Sequence, residues 1–226
     1  MRYDLVIFDN DGVLVDSEPL SNATLAGYLS ELGFPTSYEE SVRDFMGGSM
    51  RRVHDTVWRR YGRALPEDFD ERFHERVFSV FDRELGAVPE VAELLAWVGG
   101  TGTPYCVASS GTHERIRRTL RRTGLYELFV GQPSGVREWR FSSQDVAEGK
   151  PAPDLFLHAA KSMGVPPDRC VVIEDSPLGV AAARAAGMDV YGFARMTPAG
   201  QLADAVATFT RMSEVPDLLV GPAVTG

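Results

Sequence analysis

Four short apolar runs rich in β-branched residues punctuate the chain: DLVIFD at 4–9, PYCVAS at 104–109, CVVIED at 170–175 and DVYGF at 189–193. A weaker run, ELFV, lies at 127–130. Continuous short apolar runs are the pattern of strands buried on both faces. Helical patterns separate most of them. Val91, Leu94, Leu95 and Val98 stand at helical spacing in 89–98, and Ile116 and Leu120 stand four apart before Gly124. Segment 153–164 opens on Pro153 and closes on Gly164, and the alanine-rich 177–187 closes on Gly187. Pro at entry and Gly at exit punctuate helices. Strands alternating with helices predict an α/β, Rossmann-like core with a parallel sheet covered on both faces.

Residues 16–85 break this rhythm. They carry helical patterns at 19–32, 37–46, 49–61 and 67–84 and no convincing strand. Asp16 or Ser17 precedes Pro19 as a helix cap. Phe69, Phe73, Phe78 and Phe81 are expected to form a core stripe. The prediction is an α-helical cap domain at 16–85 inserted into a core made of 1–15 and 86–226. Residues 131–140, broken by Gly and Pro, read as a loop.

Composition narrows the partners. The 226 residues suffice for a sizeable core. A formal net charge of -9 makes the chain a poor binder of nucleic-acid backbone. Cys106 and Cys170 sit in apolar runs and are expected to be buried thiols rather than metal ligands. No apolar run approaches the ~20 residues of a membrane helix. A strand starts so early that no signal peptide is expected. These features predict a cytoplasmic protein, monomer or weak dimer, with neither membrane nor nucleic acid as partner.

In open parallel sheets the ligand site lies beyond the carboxyl ends of the strands. Asp9 and Asp11 stand there after the first run, Ser109, Ser110, Gly111 and Thr112 after the second, and Glu174 and Asp175 after the third. Lys150 precedes PAPD at a loop-to-helix turn. Four carboxylates on one edge call for a cation, and an oxygen-only donor set suits Mg²⁺. The start of a helix at 109–112 offers free N–H groups to an anion, and Lys150 adds a point charge. Such a set describes a phosphoryl-transfer site acting on a small phosphorylated substrate.

FDNDGVLVDSE, CVASSG, GKPAPDLF and VIEDSPLGVAAARAAGM, in that order, resemble the four motifs of the haloacid dehalogenase-like superfamily. The resemblance is to the phosphatase branch with a helical cap after the first strand, and it spans nearly the whole chain. It implies Asp9 as nucleophile, forming an aspartyl-phosphate, and Asp11 as general acid and base. It implies Mg²⁺ held by Asp9, the Asp11 carbonyl and Asp175, with Glu174 assisting. Ser109 and Lys150 would hold phosphate oxygens, with Ser110 and Gly111 beside them. In FMGGSMRR, at 45–52, Gly47 and Gly48 would allow close approach of substrate, and Arg51 or Arg52 would meet a second anionic group. Dehalogenases of the superfamily lack the second acid, so Asp11 points to phosphate chemistry.

Two alternatives accompany this reading. One is a phosphomutase of the β-phosphoglucomutase type, which carries a His where Leu20 and Ser21 stand here. The other is a non-catalytic regulator that binds a phosphorylated ligand, which would have no need of Asp11. Asn10 is expected to point away and be silent. Arg115, Arg117, Arg118, Arg121 and Arg122 are expected to form a solvated helix face. His113, near the phosphate end, is the one His singled out.

Overall fold

The structure, a computed structural model, describes residues 1–130, 132 and 139–221. It divides into two compact units: Met1–Val15 with Ala87–Gly226, and Asp16–Gly86. The first, the sheet unit, begins with β1 (Leu5–Phe8), every residue of which is buried. The second, the helical unit, contains α1 (Glu18–Glu31), α2 (Tyr38–Phe45), α3 (Met50–Tyr61) and α4 (Phe69–Glu84). The sheet unit resumes with α5 (Val91–Gly100), β2 (Tyr105–Ser109), α6 (His113–Arg122), α7 (Tyr126–Val130) and β3 (Arg140–Ser142). It ends with α8 (Asp154–Met163), β4 (Cys170–Glu174), α9 (Pro177–Ala185), β5 (Asp189–Phe193), β6 (Ala207–Phe209) and α10 (Val215–Val220).

The strands form one parallel sheet in the order β3-β2-β1-β4-β5-β6. This is the predicted α/β, Rossmann-like architecture. β1 lies between β2 and β4, with Val6 opposite both Tyr105 and Val171. The carboxyl ends of β1, β2 and β4 therefore stand side by side. Cys106 and Cys170 are buried thiols, as expected. Among the described residues no helix is long and apolar enough to cross a membrane.

Several sequence expectations are corrected. ELFV is not a strand but most of α7. An apolar run of four does not distinguish the two states, and tertiary contacts decide for helix. Phe129 is buried and stacks on Trp139, with ring centroids 5.1 Å apart. The edge strands β3 and β6, three residues each, escaped the periodicity. Of the expected loop at 131–140, only Gln132, Trp139 and Arg140 are described, the rest lying outside the described residues. Arg140 already belongs to β3, and Gln132 is buried, its side chain accepting the Tyr105 N–H.

In the helical unit the buried stripe of α4 is Phe69, Phe73, Val77 and Phe81. These positions are four apart and share one face of a helix. Phe78 is off that face, and Val77 takes the place expected for it. The Phe69 ring lies parallel to Tyr28 at 5.0 Å and to Phe73 at 6.3 Å, so it ties α1 to α4. Ser37 and Glu40 close a capping box at the start of α2, whereas Ser17 heads α1 without a side-chain cap bond.

Phe69→Ala is expected to lower stability by about 3–5 kcal/mol. Phe78→Ala should cost well under half of that. Urea unfolding followed by circular dichroism checks both, and equal losses would contradict the assignment of the stripe.

Candidate active site

β1 runs into the site without a break. The Asp9 N–H donates to the Ile173 carbonyl of β4 at 3.0 Å, so the backbone of Asp9 is still held by the sheet. Its carboxylate is buried and accepts from Lys150 Nζ at 2.6 Å. The same ammonium donates to Glu174 Oε1 at 2.7 Å and, more weakly, to the Ala108 carbonyl at 3.4 Å. Lys150 thus joins the ends of β1, β2 and β4. Only 4% of its side chain is exposed, and it lies 4.9 Å from the centre of the Phe156 ring. The other oxygen of Glu174 accepts the Ser176 N–H at 2.7 Å. A Cβ on Gly179 would stand 1.6 Å from Glu174 Oε1, so only glycine lets α9 pack this close to the carboxylate.

Two buried acids share one buried cation, which leaves a negative charge in excess. Burial, together with Glu174 and Asp11, pushes the Asp9 carboxyl up to about 7 against the pull of Lys150. Burial alone would lower Lys150, but Asp9 and Glu174 outweigh it and hold the ammonium above its ordinary range.

After Asp9 the chain turns. Gly12 has φ +80°, and its N–H donates to the Val15 carbonyl. The Asp11 side chain is gripped by Arg115 of α6: Nη2 donates to Oδ1 at 2.6 Å, and Nε donates to both oxygens at 3.2 Å. Each side chain of this pair is only 18% exposed. Arg115 is therefore not part of a solvated face, contrary to the sequence expectation. Asn10 is not silent either. It is fully buried, and its Nδ2 donates to Asp11 Oδ2 at 3.1 Å and to Thr119 Oγ1 at 3.3 Å. β1 ends at Phe8, so the alternation that pointed Asn10 away does not extend to it.

Asp175 reaches the same turn from β4. A Cβ on Gly12 would lie 2.0 Å from Asp175 Oδ2, so the carboxylate rests directly against the backbone beside Asp11. Ser109 is buried, and its Oγ accepts the Gly111 N–H at 3.0 Å. The helix starts later than 109–112: Thr112 is the cap of α6, its side chain accepting the Arg115 N–H, and residues 109–111 form the turn before it. The carbonyls of Ser110 and Gly111 accept from the hydroxyls of Ser143 and Ser142, both at 2.7 Å, which ties this turn to the chain after β3. His113 joins the same link, pairing with Asp145 at 2.7 Å. Sequence reasoning did not single out Arg115, Asn10 or Ser176 for the site. Gly48 and Arg51 stand in the helical unit, with Arg51 open to solvent near Asp55.

Among the described residues no group of three or more His, Cys, Asp or Glu is arranged to hold a metal ion by itself. Lys150 and the Ser176 N–H take both oxygens of Glu174, and Arg115 takes Asp11. Asp9, itself paired with Lys150, and Asp175 stand at the turn with the backbone of 9–12. This all-oxygen set fits Mg²⁺, which binds through one or two carboxylates and keeps its other positions for waters and phosphate.

A family model described as haloacid dehalogenase-like hydrolase matches residues 3–187. The chain belongs to this family. A 6-phosphogluconate phosphatase of Escherichia coli (strain K12) is 30% identical to this haloacid dehalogenase-like hydrolase over 219 residues, 96% of this chain and 95% of that protein. A phosphorylated carbohydrates phosphatase of Thermotoga maritima is 32% identical over 189 residues, 83% of each chain. A HAD family hydrolase from Deinococcus radiodurans R1, crystallised with bound phosphate and sodium, matches with a TM-score of 0.80 at 30% identity, covering 97% of this chain and 96% of that one.

Lys150→Met would leave two buried carboxylates without their cation. A loss of about 3–5 kcal/mol is expected at pH 8. Without the ammonium both acids bind protons more readily folded than unfolded, so stability should recover as the pH falls. In the unchanged protein the raised Asp9 makes a smaller contribution of the same sign, present below 3.8 and lost as the pH rises through about 7. Denaturation curves at pH 5 and pH 8 check this. A loss equal at both values would contradict the buried-charge account.

Proposed function

We propose that this chain is a Mg²⁺-dependent phosphatase that hydrolyses a small phosphorylated metabolite, of the sugar-phosphate class, through an aspartyl-phosphate on Asp9. The observation that carries the reading is Asp9 itself. It is buried at a strand end, held by Lys150 at 2.6 Å, with a second acid two residues on. The names of the relatives, phosphatases of a phosphorylated sugar acid and of phosphorylated carbohydrates, support the substrate class.

The chain's own residues take the following roles. The Asp9 carboxylate attacks phosphorus, and the bond to the leaving oxygen breaks. Asp11 gives that oxygen a proton and then takes one from the water that attacks the aspartyl-phosphate. Inorganic phosphate leaves, and the Asp9 carboxylate is regenerated. Lys150, the Ser109 hydroxyl and the Ser110 N–H receive the phosphoryl oxygens as their charge shifts, and Gly111 holds the turn through its N–H on Ser109 Oγ. Glu174 keeps Lys150 in place and acts through it rather than as a direct ligand. Mg²⁺, held by Asp9, Asp175 and the Asp11 carbonyl, would supply the charge that offsets nucleophile and phosphate.

Hydrolysis of p-nitrophenyl phosphate should require Mg²⁺, stop with a chelator and return when the ion is restored. Asp9→Asn should lower the rate by at least about 10³-fold in protein that still unfolds in one cooperative transition, since removal of a covalent nucleophile costs on that order or more. A screen of phosphorylated sugars and sugar acids, read as released phosphate, would then name the substrate. Turnover that survives Asp9→Asn would sink the aspartyl-phosphate reading.

A further inference from the structure

We propose that Arg115 is the positioning residue for the water-activating half of the reaction, acting through its two-point grip on the Asp11 carboxylate. This rests on the proposed phosphatase reading of the same site. A guanidinium that meets both carboxylate oxygens fixes the plane of the carboxylate as well as its distance. Arg115 does this, with Nη2 on Oδ1 at 2.6 Å and Nε 3.2 Å from each oxygen. Asn10 also donates to Asp11, its Nδ2 lying 3.1 Å from Oδ2. Asn10 is held by Thr119, one helical turn after Arg115 in α6. One face of α6 therefore sets both neighbours of Asp11.

The Arg115 stem is fixed as well. Its backbone N–H is capped by Thr112 at 3.2 Å. Its Cδ passes so close to Gly111 that a Cβ there would lie 3.0 Å away. In this arrangement Asp11 is presented as a proton acceptor. That is its role in the second half-reaction. Water attacks the phosphorus of the aspartyl-phosphate, its proton goes to Asp11, and the bond between phosphorus and Asp9 breaks with the electron pair returning to Asp9. The first half-reaction with p-nitrophenyl phosphate needs little help from an acid, because the leaving group is already stable. Loss of Arg115 should therefore slow the second half and spare the first.

The test is rapid mixing of Arg115→Met with p-nitrophenyl phosphate and Mg²⁺. Expected is a burst of about one equivalent of p-nitrophenol, followed by a steady state lowered roughly 10²-fold, the order that an angstrom of misplacement costs. Quenched protein should carry phosphate on Asp9, seen by mass spectrometry. In an Asp11→Asn background the same change should have no further effect. Arg115→Lys, which keeps the charge but not the two-point grip, should also accumulate phosphoprotein, and it serves as the second variant should Arg115→Met not fold. Burst and steady state slowed equally, as loss of a phosphate-binding cation would produce, overturns the inference, as does an unaltered steady state. Unchanged protein that turns nothing over overturns instead the proposed function.

Discussion

One ammonium holds two buried carboxylates at the adjoining ends of three strands, and the surroundings of the site follow from that constraint. Lys150 reaches Asp9, Glu174 and the Ala108 carbonyl together only because β2, β1 and β4 are neighbours in the sheet. Taking such charges out of water is unfavourable, and their mutual attraction offsets this only with near-ideal geometry and further hydrogen bonds. The Ser176 N–H on Glu174 and the Ala108 carbonyl on Lys150 supply some of these. The arrangement is therefore a weak device for stability and a strong one for fixing a carboxylate oxygen in a buried place.

The two N-terminal acids face different cations, that of Asp9 being shared with Glu174. Asp9 is matched to Lys150 and Asp11 to Arg115. Two carboxylates so near one another would otherwise compete for a single proton. Separate partners let them differ: one is deeply buried and tied to the sheet, the other partly open and tied to a helix. The proposed division of labour between nucleophile and acid–base group maps onto that physical difference.

The backbone frame was legible because apolar continuity marks buried parallel strands whatever their partners are. β1, β2, β4 and β5 lie in the four strongest runs, and the acids, Ser109 and Lys150 stand beyond strand ends or at a turn for that reason. Features that depend on tertiary neighbours were not legible. Arginine stands at five positions of 113–124, and only the pairing with Asp11 in the folded chain shows that Arg115 turns inward. The role of Asn10 was hidden by extending a two-residue alternation beyond the point where the strand stops. Pattern alone could not show that Glu174 accepts from Lys150 and from a backbone N–H. β3 and β6 are too short to produce a period.

Gly12 and Gly179 set a boundary on how this molecule can change. At each, a single added methyl would fall inside the space of a carboxylate group, Asp175 at one and Glu174 at the other. The wall behind each acid is thus main chain, which cannot step aside as a flexible side chain can. A randomised library aimed at new substrates would lose members at these two positions whatever molecule was offered. Variation there would report on whether the acids can still assemble, not on what they recognise.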